Sequence, residues 1–588
     1  MNLTRLSLVI SFSVLSFFAT QVLAEIQKIA RIGEPAIGFP DGMVFADVTN
    51  PIIGGSGHIA FTGLVSNGGS LRFAVGAMWT GLPGQLNVIM KQDDTPVGFP
   101  ESVKLTGFFD TRPVVTESGA VGVLANLKGA DSVGVLAHID GTTYGIMKTG
   151  DQAVGFPEGS LVKEILDFAF TDAGMIVTAE VTGVTSRRRG VWLWNRDGLQ
   201  TIPSPIAGCH FGFPVSYASI NESGEVAFTA SLIKDDDSFC SPKAGVFKWS
   251  HGSSQLLMKN NDPVPGMLDA RFLNVNLESK SASPMINNEG LVVFSAELTE
   301  GTRQKMSVWV TDGLNEPKLL FLNEEILESD LDKLRIGDSS LNSFLDDNRL
   351  ILKMDRGING DSLMTGKFRE SQPYHSLNET GKTQLTEIAA TGEQPRGFDA
   401  DWRFTDFQGT FGKTGQFVVL GAAKNSLNRS VLEGFWRSDE SRGLRLAAID
   451  GMKISVDGEE HLLQFISVTN GISAPRYRSK WVSKNNEIIF NGFLGEGGGG
   501  IFLLTDDSKE QKIFNLAEQL FPEYFSSANV DDQLLEGFVY RYYPATKTYI
   551  GIKNGEVFVL GDVFGSGPQR IDTIENTLQL LEGLAAGT

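Results

Sequence analysis

Five short segments of this 588-residue sequence hold a carboxylate at a set distance from a glycine, a pattern that can gather a cation or hydrogen-bond a sugar. In three of them the acid stands four residues before Gly-Phe-Pro: Glu34 to Pro40, Asp94 to Pro100 and Asp151 to Pro157. Asp262 to Gly266 and Glu393 to Phe398 repeat the acid and the glycine, and Gly212-Phe213-Pro214 repeats only the tail. The leading expectation is structural: the acid accepts backbone N–H bonds within a turn, and the phenylalanine wedges between neighbouring units. The functional alternative is a partial ring of carboxylates and aromatics that holds calcium or stacks on sugars.

Two charged loop tips follow, Arg187-Arg188-Arg189 and Asp235-Asp236-Asp237. Runs of this kind are ordinarily solvated; otherwise the two form a bipolar patch for a partner. The Asp run lacks the alternating ligands and the final Glu of an EF-hand loop, so it is a weak calcium site. The cysteines, Cys209 and Cys240, favour a disulfide in an oxidising compartment, with two separate buried thiols as the alternative. Six isolated histidines, at 58, 138, 210, 251, 375 and 461, form no His-Glu-x-x-His pair. The sequence also lacks a Gly-x-Ser-x-Gly elbow, a phosphate-binding loop and a zinc-spaced cysteine set. Any catalytic site would have to be assembled from distant segments.

The elements that would position these residues repeat. A turn followed by an alternating strand recurs at Gly57-His-Ile-Ala-Phe61, Gly119 to Val123, Gly174 to Val177, Gly224 to Phe228, Gly290 to Phe294, Asn348 to Leu352, Gly415 to Val419 and Asn486 to Phe490. The spacing is about 60 residues, and the turn position holds only Gly or Asn, the types that tolerate positive φ. Each copy carries three further strand-like pieces, one often containing Trp. Four short antiparallel strands per unit is the arithmetic of a propeller blade. Residues 25–31 match a fourth strand, while the last unit supplies only three. The fold expected is therefore mainly β: an eight-bladed β-propeller over residues 25–508, closed by the N-terminal strand. Seven blades, with the irregular unit near Leu334 to Phe368 distorted, is the main alternative, and an open solenoid a lesser one.

Beyond Ser508 the pattern changes. Ile513, Leu516, Ala517, Leu520 and Phe521 fall at helical spacing, Phe538 to Tyr543 and Tyr549 to Ile552 read as strands, Asn554-Gly555 as a hairpin turn, and Ile571, Ile574, Leu578 and Leu581 as a closing helix. Residues 509–588 thus read as a small α+β domain. The run Ile513 to Glu518, Phe521-Pro-Glu-Tyr-Phe525, Tyr540 to Pro544, Tyr549-Ile-Gly551 and Val557-Phe-Val559 resembles a small domain at the C-terminus of many exported proteobacterial proteins. The repeat region resembles poorly characterised exported bacterial propeller-like proteins with Pro-Gly and Asn-x-x-Gly-x-Val-x-Phe patterns; here Gly-Phe-Pro often replaces Pro-Gly. Neither resemblance implies a catalytic residue.

Residues 1–24 read as a signal peptide, with Arg5, an apolar stretch from Leu6 to Phe18 and a Val22-Leu23-Ala24 cleavage site; a membrane anchor is the alternative. No second apolar run approaches spanning length, so the mature chain is expected to carry no integral membrane span. With 70 Asp+Glu against 50 Lys+Arg, a formal charge of −20 and a pI near 4.9, the chain lacks the basic face that nucleic acid requires. The expectation is an exported, periplasmic or extracellular propeller that binds a glycan or protein partner, with no required cofactor. A polysaccharide lyase or glycoside hydrolase drawing carboxylates from several blades, and a structural envelope component, are the rival readings.

Overall fold

The computed structural model describes residues 26–505, apart from 69–73, 109–112, 129–131, 184–187, 216–217, 237, 276–282, 301–302, 323–340, 345–348, 356–360, 368–385, 396–397, 399, 412–416, 428–430, 439–443, 452, 457–458, 466–480, 484–486 and 495–498. Beyond 505 it describes 532–535, 538–543, 548–553, 556–560 and 569–573. The expected signal peptide, Arg187, Asp237 and residues 513–521 therefore lie outside the described residues. The chain divides into two compact units, Ala24–Asp506, and Asp507–Thr588 grouped with Met1–Leu23. Among the described residues every regular element is a strand, and no helix is long and apolar enough to cross a membrane.

Among its described residues the larger unit contains eight antiparallel sheets of four or five strands. In chain order, the first is Met43–Ile53, Ile59–Asn67, Val75–Gly81 and Asn87–Lys91. The second opens on Leu105–Gly107 with Val114–Val115 and continues through Val121–Leu127, Val133–Ile139 and Thr142–Lys148. The third is Val162–Thr171, Gly174–Val181, Arg189–Asn195 and Gly198–Thr201. The fourth opens on His210–Val215 with Ser219–Ile220, then Val226–Ile233, Phe239–Ser250 and Ser253–Lys259. The fifth opens on Ala270–Asn274 with Met285–Ile286, then Val292–Glu300, Arg303–Thr311 and Lys318–Leu322. The sixth spans Leu341–Phe344 to Thr386–Ala390 and the seventh Trp402–Phe411 to Arg445–Ile449. The eighth comprises Lys453–Val456, Glu459–Phe465, Ile488–Leu494 and Gly499–Leu504, and its outer strand is Ile26–Arg31, which pairs antiparallel with Gly499–Leu504.

The apolar face of a sheet must be buried against another element, so each sheet leans on its neighbours. The second strand Val226–Ile233 is buried at every residue, the signature of a strand covered on both faces. The apolar clusters bridge consecutive sheets. Met78 and Met90 of the first meet Leu105 and Leu136 of the second, and Leu124 of the second meets Phe168 and Trp192 of the third. Ile176 and Leu193 of the third meet Phe211 and Phe228 of the fourth, whose Val246 and Met258 meet Phe272 and Phe294 of the fifth. Ile351 of the sixth joins Phe404 of the seventh, and Phe435 of the seventh joins Phe490 of the eighth. Ile501 and Leu503 of the eighth then join Phe45 and Phe61 of the first. This is a β-propeller-like repeat fold.

The sheets also alternate in kind. Trp79, Trp192, Trp309 and Trp436, all fully buried, occupy the third strands of the first, third, fifth and seventh sheets. In the second sheet the strand Val133–Ile139 carries no Trp; the ring of Phe99 lies against Gly145 instead, where a Cβ would come within 2.6 Å of it.

The described part of the smaller unit is one antiparallel sheet of Asp532–Leu535, Phe538–Tyr543, Thr548–Lys553, Glu556–Leu560 and Gln569–Thr573. Residue 571 lies in its last strand, paired beside Glu556–Leu560, so the expected closing helix does not begin there. The alternation Gln569, Ile571, Thr573 satisfies a strand as well as Ile571 satisfies a helical stripe, and ladder pairing decides between them.

Candidate functional site

The five turn acids share one local geometry. The residue before each has positive φ: Gly33 at 89°, Asp93 at 71°, Gly150 at 86°, Asn261 at 70° and Gly392 at 86°. The acid's own carbonyl then accepts an N–H from the first strand of the following sheet, from Phe45, Leu105, Val162, Phe272 and Phe404 respectively. Four carboxylates turn back onto the strand just left. Asp94 accepts the N–H of Lys91 at 2.9 Å, Asp151 that of Lys148 at 2.8 Å, Asp262 that of Lys259 at 3.2 Å and Glu393 that of Ala390 at 3.0 Å. Glu34 instead accepts the Lys28 ammonium at 2.7 Å. Each acid thus staples the last strand of one sheet to the turn that begins the next.

The phenylalanines of two Gly-Phe-Pro motifs, and Phe398 of the corresponding Gly-Phe-Asp, follow the same logic. Phe39, Phe156 and Phe398 pack on Trp79, Trp192 and Trp436 with ring centroids 6.0, 5.7 and 5.9 Å apart. The indole N–H groups of Trp79 and Trp192 donate to the carbonyls of Ile37 and Val154, each at 2.9 Å. Gly212-Phe213-Pro214 is different: it lies inside the strand His210–Val215, where the ladder register shifts between Gly212 and Val215. Proline is tolerated at such a bulge because no ladder N–H is required of it.

The charged tips are drawn together across two sheets. Arg188 Nη1 stands 3.6 Å from Asp235 Oδ1, and the same oxygen is 3.0 Å from His210 Nε2. The Arg188 guanidinium lies 5.5 Å from the centre of the Phe156 ring, and its backbone bridges Gly212. Arg188 is 12% exposed, His210 33% and Asp235 81%, so the group runs from interior to solvent. Burial lowers the His210 imidazole below the ordinary histidine value, and Arg188 adds to this against the pull of Asp235. Arg189 turns inward instead, 3.2 Å from Glu180, which also pairs with Lys163 at 2.8 Å. Asp236 accepts the hydroxyl and N–H of Ser238, which hold its carboxyl below the usual range.

A disulfide joins Cys209, beside His210, to Cys240 in the strand Phe239–Ser250, with the two Cα atoms 6.3 Å apart. It fastens the hairpin that carries Asp235 and Asp236 to the start of its own sheet, and the chain-entropy model values such a loop at roughly 3 to 4 kcal/mol. On that hairpin Phe239 is 39% exposed, and the Lys243 ammonium sits 4.4 Å from its ring centre. The arrangement is a disulfide-fastened hairpin that carries an exposed aromatic ring with a Lys beside it and an Asp paired with His210 and Arg188.

Another polar set escaped sequence reasoning. The first strands bulge after Phe45, Ile165, Phe272 and Phe404, and the residues that resume the ladder are Asp47, Asp167, Asn274 and Asp406, again in the first, third, fifth and seventh sheets. Asp47 and Asp406 accept the next N–H at 2.9 and 2.8 Å, and Asp167 is 4% exposed. Burial pushes the Asp47 carboxyl up. The signal was an apolar-x-Asp/Asn-apolar pattern that interrupts strand alternation. At the first-hairpin turns, Ser118 donates to Asp172 at 2.6 Å, Asp172 N–H to Glu222 at 3.2 Å and Glu222 N–H to Asn288 at 2.8 Å, linking four successive sheets. Among the described residues no group of three or more His, Cys, Asp or Glu side chains is arranged to hold a metal ion.

A family model described as "Family of unknown function (DUF7453)" matches residues 14–137 and 129–335. No curated protein matches the chain. Among solved structures, the chain is similar to the β-propeller domain of the Trilobed protease from Pyrococcus furiosus, at 9% identity over 71% of this chain and 95% of that one, with a TM-score of 0.34. It is also similar to the polysaccharide lyase Uly1, at 11% identity over 69% and 95% with a TM-score of 0.30, and to a glycosyl hydrolase from Bacteroides ovatus, at 10% over 60% and 95% with a TM-score of 0.18. At these scores, function has to be read from the chain's own residues.

Proposed function

The chain belongs to DUF7453, a family of unknown function, and from that premise we propose that it is an exported, eight-bladed β-propeller that binds a glycan or protein partner through its loop face. The observation that carries this reading is the hairpin from Ile233 to Lys243, fastened by Cys209–Cys240 and by Arg188 and His210 to Asp235. Ordering a loop on binding costs affinity, and a loop ordered beforehand avoids that cost. Exposed Phe239 and Lys243 are the contact residues this rigidity serves.

Eight blades are favoured over seven by the alternation of sheets whose third strand carries a fully buried Trp, because only an even number lets the last sheet meet the first without breaking it. The antiparallel pairing of Ile26–Arg31 with Gly499–Leu504 is the proposed closure of the ring. In such a ring the inter-blade turns and second-hairpin loops share one face, which puts Phe156 and Asp235 on the side offered to the ligand. Residues 1–24 act as the export signal, and residues 509–588 as a small α+β accessory module for attachment.

The test is a glycan array and a cell-surface pull-down with the mature chain, run with and without calcium. Retention that falls at least tenfold in Phe239→Ala supports the reading. No retention in either format, with or without calcium, sinks it.

A further inference from the structure

We propose that His210, Asp235 and Arg188 form a proton-transfer site for a sugar carrying a carboxylate, cleaving its chain by elimination. The inference rests on the loop face being the ligand face. Asp235 Oδ1 lies 3.0 Å from His210 Nε2. A carboxylate oxygen only accepts, so Nε2 carries the proton and Nδ1 keeps its lone pair. The imidazole is therefore oriented by an acid and presents a base, and burial beside Arg188 favours its neutral form.

Removing a proton next to a carboxylate builds a second negative charge on that carboxylate, and a fixed cation must meet it. Arg188 Nη1, 3.6 Å from the same Asp235 oxygen, is held beside the base by Phe156 and by its backbone bridge to Gly212. The hairpin that presents Asp235 also offers the partly exposed Phe239 ring for the apolar face of a pyranose, with the Lys243 ammonium beside it.

The step balances as follows. The C5–H bond of the uronate breaks and its proton passes to His210 Nδ1. The electron pair forms the C4=C5 double bond, and the C4–O bond breaks. The departing oxygen takes a proton from water, and His210 returns its proton to the hydroxide left behind. Neither an oxidant nor a reductant is involved.

The experiment incubates the full mature chain with polygalacturonate, alginate and hyaluronan, with dextran as the neutral control. It follows the ultraviolet absorbance of the conjugated unsaturated product and, separately, retention on each polymer by affinity electrophoresis. The expected result is product from at least one acidic polymer and none from dextran. His210→Gln should lower the rate by about 100-fold or more while the variant stays folded, with any fall in retention far smaller than the fall in rate. Asp235→Asn should lower it too, by reversing the preferred tautomer. Retention without product from any acidic polymer overturns the proton-transfer site and leaves the binding reading standing. Undiminished product in a folded His210→Gln variant overturns the site as well, and so does a chain that neither retains nor cleaves any acidic polymer, while the binding reading itself stands or falls on the array and the pull-down.

Discussion

The carboxylate of Asp151 accepts the backbone N–H of Lys148 at 2.8 Å, while the Lys148 ammonium reaches the other carboxylate oxygen at 2.7 Å. One side chain thus closes the turn between two sheets, and its equivalents at Asp94, Asp262 and Glu393 do the same with backbone N–H groups. A carboxylate committed in this way is a poor ligand for an incoming cation.

Asp151→Ala should accordingly cost about 1 kcal/mol of stability in a denaturant titration and leave partner retention unchanged. A variant of undiminished stability that no longer retains any partner would return these acids to the binding site.

Ile29 is buried in the cluster that joins the eighth sheet to the first. Ile29→Asp would bury a charge at the proposed seam and should destabilise the propeller by about 3 kcal/mol or more, lowering its melting temperature cooperatively. An unchanged melting temperature would mean that the strand Ile26–Arg31 is not part of the cooperative unit.

Replacing Cys209 and Cys240 together by Ser should cost about 2 to 4 kcal/mol. It should also weaken partner retention more than the loss of stability accounts for, because the hairpin then has to be ordered on binding. Equal retention by the two forms under conditions where both are folded would show that the clamp serves stability alone.

His210 gives the pH dependence its sign. Its imidazole is held below the unfolded value of about 6.5 by burial and by Arg188, against Asp235. Between the lowered folded value and 6.5 the unfolded chain binds more protons than the folded one, so stability rises with pH there. The contribution is complete above 6.5 and lost as pH falls through the folded value. His210→Gln should flatten this part of the stability profile; a profile still sloping equally would assign the effect to another group.

Much of this architecture was legible from the turn glycines, because a hairpin that needs positive φ accepts few residue types: Gly57, Gly119, Gly224 and Gly290 all adopt it. The turn role of the acids was legible for a similar reason, since an acid two or three residues from a chain reversal has amides within reach. Asp47, Asp167 and Asp406 were not, because a bulge looks in sequence like a fault in alternation, and only ladder pairing reveals the same fault recurring from sheet to sheet, with an acid after it in the first, third and seventh. The meeting of Arg188, His210 and Asp235 was hidden more deeply, as it depends on how two separate sheets lie side by side. The two charged runs indicated a patch, but nothing in the chain linked His210 to it.

The most direct measurement compares retention of a captured glycan or protein by the mature chain and by Phe239→Ala/Lys243→Ala, a pair of exposed positions whose replacement should leave the melting temperature within a degree or two. The expected result is a loss of at least tenfold in affinity with the fold intact. Equal affinity in the two proteins would contradict the assignment of the fastened hairpin as the contact surface.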